Sequence, residues 1–98
     1  MSEQELIPTK TLCLHYNIDI SFVDDLNKIG RIQIQLIEEQ QYIHQDQVGE
    51  LEKMIRIHKE LNVNIEGIDV IYNLLEKEQA LRDEVNSLKN RLRLYENL

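Results

Sequence analysis

Apolar positions change period three times along the chain, and each change predicts a new element. Leu12, Cys13 and Tyr16 recur at helical spacing, which predicts a short helix over residues 10–16. Pro8 and Thr9 mark its start, with the Thr9 hydroxyl placed to cap free amides, and Asn17 accepts the left-handed turn that ends it. Ser21 followed by Asp24 gives a capping-box-like start to a second helix through Ile29, where Gly30 stops it. Two short helices joined by the tight segment 17–21 make a helix-turn-helix pattern, with Val23, Leu26 and Ile29 facing the first helix.

After Gly30, Ile32, Ile34 and Leu36 alternate with Arg31, Gln33 and Gln35, the period-2 signature of a half-buried strand. Tyr42, Ile43 and His44 can return as a second strand after a turn over 38–41, giving a small β-wing. Asp46 is placed to cap a third helix with an inner stripe of Val48, Leu51, Ile55, His58 and Leu61, ending near Asn62. Asn64 caps a last helix, and Val63 with Ile68 forms the pair expected of a hydrophobic staple. From there a heptad runs with Ile71, Glu78, Val85 and Leu92 at a and Leu74, Leu81, Leu88 and Tyr95 at d. A helix over 65–96 is roughly 48 Å long, more than a small head can cover, so a partner helix is required. The expected fold is mainly α: a winged helix-turn-helix head over 1–62 and a C-terminal coiled-coil dimerisation helix over 63–98. The dimerisation face is Ile71, Leu74, Leu81, Val85, Leu88, Leu92 and Tyr95.

With 98 residues, 42% hydrophobic and 30% charged, the chain has the composition of one ordinary globular domain. Its longest apolar runs fall short of a bilayer span, and MSEQEL lacks the basic start and apolar stretch of a signal peptide, so a cytoplasmic location is expected. Cys13 is the single cysteine and reads as a small buried hydrophobe in a reducing compartment. The net charge of −7 is uneven: residues 1–50 carry nine acids against three bases, a net −6, and residues 51–98 carry nine against eight, a net −1. An acidic head disfavours nucleic acid, whose phosphates need cations, and favours a basic partner.

His15, His44 and His58 fall on different expected elements without the i, i+4 spacing of a helical metal site, so no metal is expected. A glycine-rich phosphate loop is missing and the carboxylates are scattered, so neither a cofactor nor catalysis is expected. The second helix reads SFVDDLNKIG, where a DNA-reading helix presents Arg, Lys, Asn or Gln. Asp24 and Asp25 either solvate that helix or dock a basic protein surface. Phe22 is either a structural residue or the apolar anchor of the same interface.

The stretches LCLHYNI, YIHQDQV, RIHKELNVNIEGIDVIYNLL and LRDEVNSLKNRLRLYE together resemble the CbpM family of bacterial chaperone modulators, within the wider MerR-like helix-turn-helix group. The likeness runs from about Ile7 to Tyr95 and is most specific from Arg56 to Leu75, through Arg56-Ile57-His58, Glu60-Leu61, Val63-Asn64 and Gly67-Ile68. It implies a MerR-like winged head with a dimerising helix. It also implies binding to the J-domain of a DnaJ-like co-chaperone, CbpA, which restrains that protein's action on DnaK. J-domains offer a basic helical face that an acidic head can cover. The contact residues inferred from charge and expected exposure are Phe22, Asp24, Asp25, Glu38 and Glu39. The chain has no His-Pro-Asp tripeptide, so it is not itself a J-domain.

The arginines and Tyr-Tyr pair of DNA-reading MerR-like proteins are replaced by Asp24, Asp25, Leu26 and Asn27, and the tail has no cysteine set for a metal effector. Direct nucleic-acid binding and membrane association are not expected. The second reading is a MerR-type DNA-binding transcriptional regulator using Lys10, Lys28 and Arg31, and the third is a structural coiled-coil adaptor. In a parallel homodimer Glu84–Lys89 and Arg91–Glu96 pairs attract and Lys77–Arg82 pairs repel, each worth only ~0.3–0.5 kcal/mol. The MerR-like resemblance implies the antiparallel arrangement instead.

Overall fold

The computed structural model describes residues 5–97; Met1–Gln4, which carry part of the signal-peptide reading, and Leu98 lie outside the described residues. The chain runs β1 (Leu6–Pro8), α1 (Thr9–Tyr16), α2 (Ile20–Lys28), β2 (Ile34–Ile37), β3 (Gln40–His44), a 3-10 turn (Gln45–Gln47), α3 (Val48–Leu61) and α4 (Ile65–Glu96). The winged helix-turn-helix head and long C-terminal helix are therefore present, and one strand is additional. β1 pairs antiparallel with β3, making a three-stranded sheet in the order β1-β3-β2. Three residues are too few to display a period, and Pro8, which lacks an amide donor, sits at the end of an edge strand.

Left-handed residues terminate the helices where their chemistry allows it. Asn17 has φ 57° and lets Ile18 N–H reach the Cys13 carbonyl at 3.0 Å. Gly30, at φ 83°, closes α2 with Arg31 N–H on the Leu26 carbonyl at 2.9 Å, and Asn62, at φ 58°, ends α3. Asn64 caps α4 through a 2.8 Å bond accepted from Gly67 N–H.

Other start signals resolve differently. Thr9 does not cap α1: it is buried in the first turn, and its hydroxyl donates to Gln41 of β3. α2 starts one residue before Ser21, with Asp19 as an extended N-cap and no side-chain cap, so the Ser21–Asp24 box is not formed. Asp46 lies inside the 3-10 turn, which is capped by His44 Nδ1 accepting from Asp46 N–H at 3.0 Å.

The core takes Leu12 from α1, Phe22, Val23 and Leu26 from α2, Ile32 from the bend, Ile43 from β3, Leu51, Met54 and Ile55 from α3, and Ile68 from α4. Burying each aliphatic chain stabilises by roughly 1.5–3 kcal/mol, so the first turn of α4 is part of what holds the head together. Ile29 and Leu61 were expected on inner stripes but are exposed, because α2 buries Phe22 and α3 buries Met54 in their place. Leu36 is also outside, at 69% exposure, since β2 begins only at Ile34 and its far end extends past the core.

The wing turn is tighter than a four-residue turn over 38–41. Ile37 pairs with Gln40, leaving Glu38 and Glu39 as a two-residue loop at φ 51° and 67°. Two left-handed residues suit the twist of a hairpin, but glutamates occupy them at a cost of about 1–2 kcal/mol each.

Candidate functional site

Side-chain hydrogen bonds tie the elements of the head to one another. Asn27 accepts from Ile34 N–H at 3.1 Å, tying α2 to the wing, and the Gln47 amide brackets Gln33 with two bonds of 2.7 and 3.2 Å. Lys59 of α3 donates to the last carbonyl of α1 at Tyr16, 2.8 Å away. The helix-turn-helix is thus anchored to the wing through α2 and to α3 through the end of α1.

Consecutive residues on a helix point about 100° apart, so Asp24 and Asp25 serve different faces. Burial, then the carboxylates of Asp24 and Asp19, push the Cys13 thiol of α1 above its ordinary value. Asp25 instead lines an open groove of about 900 Å³ between α2, the end of α3 and the start of α4. Phe22 floors this groove at 7% exposure, its ring 4.7 Å from that of His58. His58 Nδ1 lies 2.8 Å from the Val63 carbonyl and so bridges the α3–α4 junction. Lys28 and Glu66 also line the groove, giving it mixed charge.

The wing turn stands on the other side. Glu39 and Leu36 line a smaller notch of about 320 Å³ with Lys10 of α1 and Ile20 of α2, and Glu38 is exposed at the tip. Of the five contact residues inferred from sequence, Phe22 and Asp25 therefore share the groove, Glu39 borders the notch, and Asp24 lines neither. They do not form one continuous face. Sequence reasoning missed Leu14, which is 84% exposed on α1, and the outward placement of Ile20 and Leu36. Leu14 was detectable as an apolar residue off the Leu12–Tyr16 stripe.

Lys10, Lys28 and Arg31, the cations a DNA-binding reading would use for phosphate contact, are dispersed over the head. Arg31 forks onto α4: Nε donates to Asp69 at 3.0 Å, Nη1 to Glu76 at 2.8 Å and Nη2 to Asn73 at 2.8 Å. Its guanidinium also lies 5.7 Å from the Tyr72 ring centre. Burial alone would lower its pKa, but the Glu76 and Asp69 contacts outweigh burial and hold it above the ordinary value. Lys28 stands in the groove with Asp25, and Lys10 in the notch with Glu39.

Along α4, Ile71 is half-buried, whereas Leu74, Leu81, Val85, Leu88, Leu92 and Tyr95 are each about half exposed or more in the single chain. No helix among the described residues is long and apolar enough to cross a membrane.

A family model described as MerR HTH family regulatory protein matches residues 7–90, from β1 through most of α4. The chaperone modulatory protein CbpM of Pseudomonas entomophila is 27% identical over 84 residues, covering 85% of this chain and 83% of its own length. No solved structure matches the chain.

Proposed function

Because the chain belongs to the MerR HTH family of regulatory proteins, we propose that it is a chaperone modulator whose acidic head, residues 1–62, binds the J-domain of a DnaJ- or CbpA-like co-chaperone in the cytoplasm and restrains its action on DnaK. In this reading residues 63–98 pair two copies through Ile71, Leu74, Leu81, Val85, Leu88, Leu92 and Tyr95. The likeness to a chaperone modulatory protein supplies the class. The observation that carries the mechanism is α2, which offers Asp24 and Asp25 where a DNA reader needs cations, while α4 engages Arg31.

Opposite charge accelerates encounter and sets orientation, and apolar contact sets residence time. Covering the basic face of a J-domain denies it to DnaK without any covalent chemistry. Phe22, Asp24, Asp25, Glu38 and Glu39 remain the proposed contact set, with Phe22 acting from the groove floor. The experiment is titration of labelled full-length protein with the J-domain from the same organism, read by amide shifts. Shifts on α2 and the wing are expected, and Asp24→Lys with Asp25→Lys slows association and flattens its salt dependence. An absence of shifts, or shifts confined to α4, refutes the reading.

The family's regulatory name favours the alternative of a DNA-binding transcriptional regulator. With Lys10, Lys28 and Arg31 dispersed, few phosphates are neutralised, so binding to duplex should be no tighter than high micromolar and fade between about 50 and 200 mM salt. Nanomolar, sequence-selective binding would restore the regulator.

A further inference from the structure

We propose that the groove between α3 and α4, lined by Ile57, Leu61, Tyr72 and Leu75, seats the last turn of α4 from a second copy of this chain, with Tyr95 as the inserted side chain and the two helices antiparallel. The proposal rests on the reading above in which residues 63–98 pair two copies, and it adds a direction, a register and a seat on the head.

The groove holds about 340 Å³, and Lys53, Arg56 and Glu60 complete its lining. Leu61 is 68% exposed and Leu75 52%, while Ile57 and Tyr72 are half-buried. Leu75 lies one turn from both Ile71 and Glu78, two a positions of the heptad, so the groove borders the stripe that runs exposed from Leu74 to Tyr95. An apolar groove continuous with an uncovered helix stripe is one surface, and a second α4 covers both parts. The groove lining carries charges of both signs, as do Arg91, Arg93 and Glu96 in the arriving turn, so apolar contact and register select the occupant.

The heptad sets the alignment. In an antiparallel pair each a position faces a d position of the other helix. Ile71 opposite Tyr95, Glu78 opposite Leu88, Val85 opposite Leu81 and Leu92 opposite Leu74 is the one antiparallel register that matches all eight positions. It brings the end of each α4 to the start of the other, where the groove lies. A parallel pair matches the same positions but sets Glu78 against Glu78 inside the seam. Like carboxylates facing one another in a partly desolvated layer cost more than exposed flanking pairs return. The antiparallel register moves the two Glu78 carboxylates about 15 Å apart along the axis and leaves each with Arg82 of its own helix. In the parallel pair Tyr95 of the second copy lies about 30 Å from Leu75, and the groove stays empty.

The test uses full-length chains carrying Cys13→Ala, so that every thiol is an introduced one. Oxidising a mixture of Leu61→Cys and Tyr95→Cys chains should give a covalent dimer at least about tenfold more abundant than either chain gives alone, because a disulfide forms only between closely placed residues. Self-cross-linking of Tyr95→Cys with none in the mixture is the parallel result; it overturns the seat and leaves pairing through α4 intact. Leu61→Glu, at an exposed position, should raise the dimer dissociation constant about 10-fold or more, whereas Leu14→Glu, at 84% exposure on α1 and outside the groove, should leave it within about twofold. Unchanged dimerisation of Leu61→Glu overturns the proposal, and a monomeric unaltered protein by light scattering ends both the proposal and the pairing reading. The J-domain titration is independent of all these results.

Discussion

Replacing Arg31 with Gln should loosen the long helix from the head without touching the apolar core. The side chain is 14% exposed, and its partners Asp69 and Glu76 are 37% and 66% exposed, so solvent weakens the second pair more than the first. The Asp69 contact is worth about 1–1.5 kcal/mol after that discount, the exposed Glu76 pair about 0.3–0.5, the Asn73 bond about 0.5–1, and the Tyr72 face about 0.5. Loss of the fork therefore removes about 2–3.5 kcal/mol. With a urea dependence of about 1–1.5 kcal/mol per molar for a protein of this size, the midpoint should fall by about 2 M at fixed protein concentration. Arg31→Lys keeps the charge but can satisfy only part of the fork, and should lie near half that loss. Paired spin labels on the head and the middle of α4 should report a broader distance distribution for Arg31→Gln. A midpoint within 0.5 M of the unaltered protein, with the distribution unchanged, would refute this account of how α4 is oriented.

A Cβ at Gly67 would stand 2.6 Å from Val63 Cγ1 and 3.1 Å from Asn64 Oδ1. Gly67→Ala should thus cost about 1–2 kcal/mol net despite the ~1 kcal/mol helix gain, read as a drop of several degrees in thermal melting. Glu38→Asn with Glu39→Gly relieves the left-handed wing turn and should stabilise by about 1–2 kcal/mol; no gain in melting temperature would contradict the strain assigned there. Truncation after Glu76 should leave a monomer or an aggregate by light scattering, whereas a monodisperse monomer of the full-length protein at micromolar concentration would contradict pairing through α4. Burial, then Asp24 and Asp19, raise the Cys13 thiol, and burial, then Glu50, raise the Tyr72 phenol. The unfolded chain therefore releases these protons first, so their contribution is complete below about pH 9 and is lost as pH rises through the folded values. Denaturant midpoints measured from pH 8 to 11 should show the fall, and Cys13→Ala with Tyr72→Phe should flatten it.

Signals that involve neighbours a few residues apart were legible in the sequence. Asn64 caps Gly67 three residues on, so the start of α4 followed from sequence alone, and its heptad carried the helix to Glu96. Asn17, Gly30 and Asn62 marked the helix ends because few residues accept a left-handed backbone. The acidity of the head is a property of composition and needed no fold. Tertiary structure decided what depends on distant partners. Arg31 reads as a free cation until the fold brings it to Asp69 and Glu76, 38 and 45 residues away. Thr9 reads as a cap until β3 places Gln41, 32 residues on, against its hydroxyl. β1 exists only because β3 offers an edge to pair with. The division of Asp24 from Asp25, and the gathering of Ile20 and Leu36 at one notch, follow from packing α2 between α1, the wing and α3. A local pattern specifies which face of an element is apolar, whereas the elements packed against it determine which part of that face stays exposed.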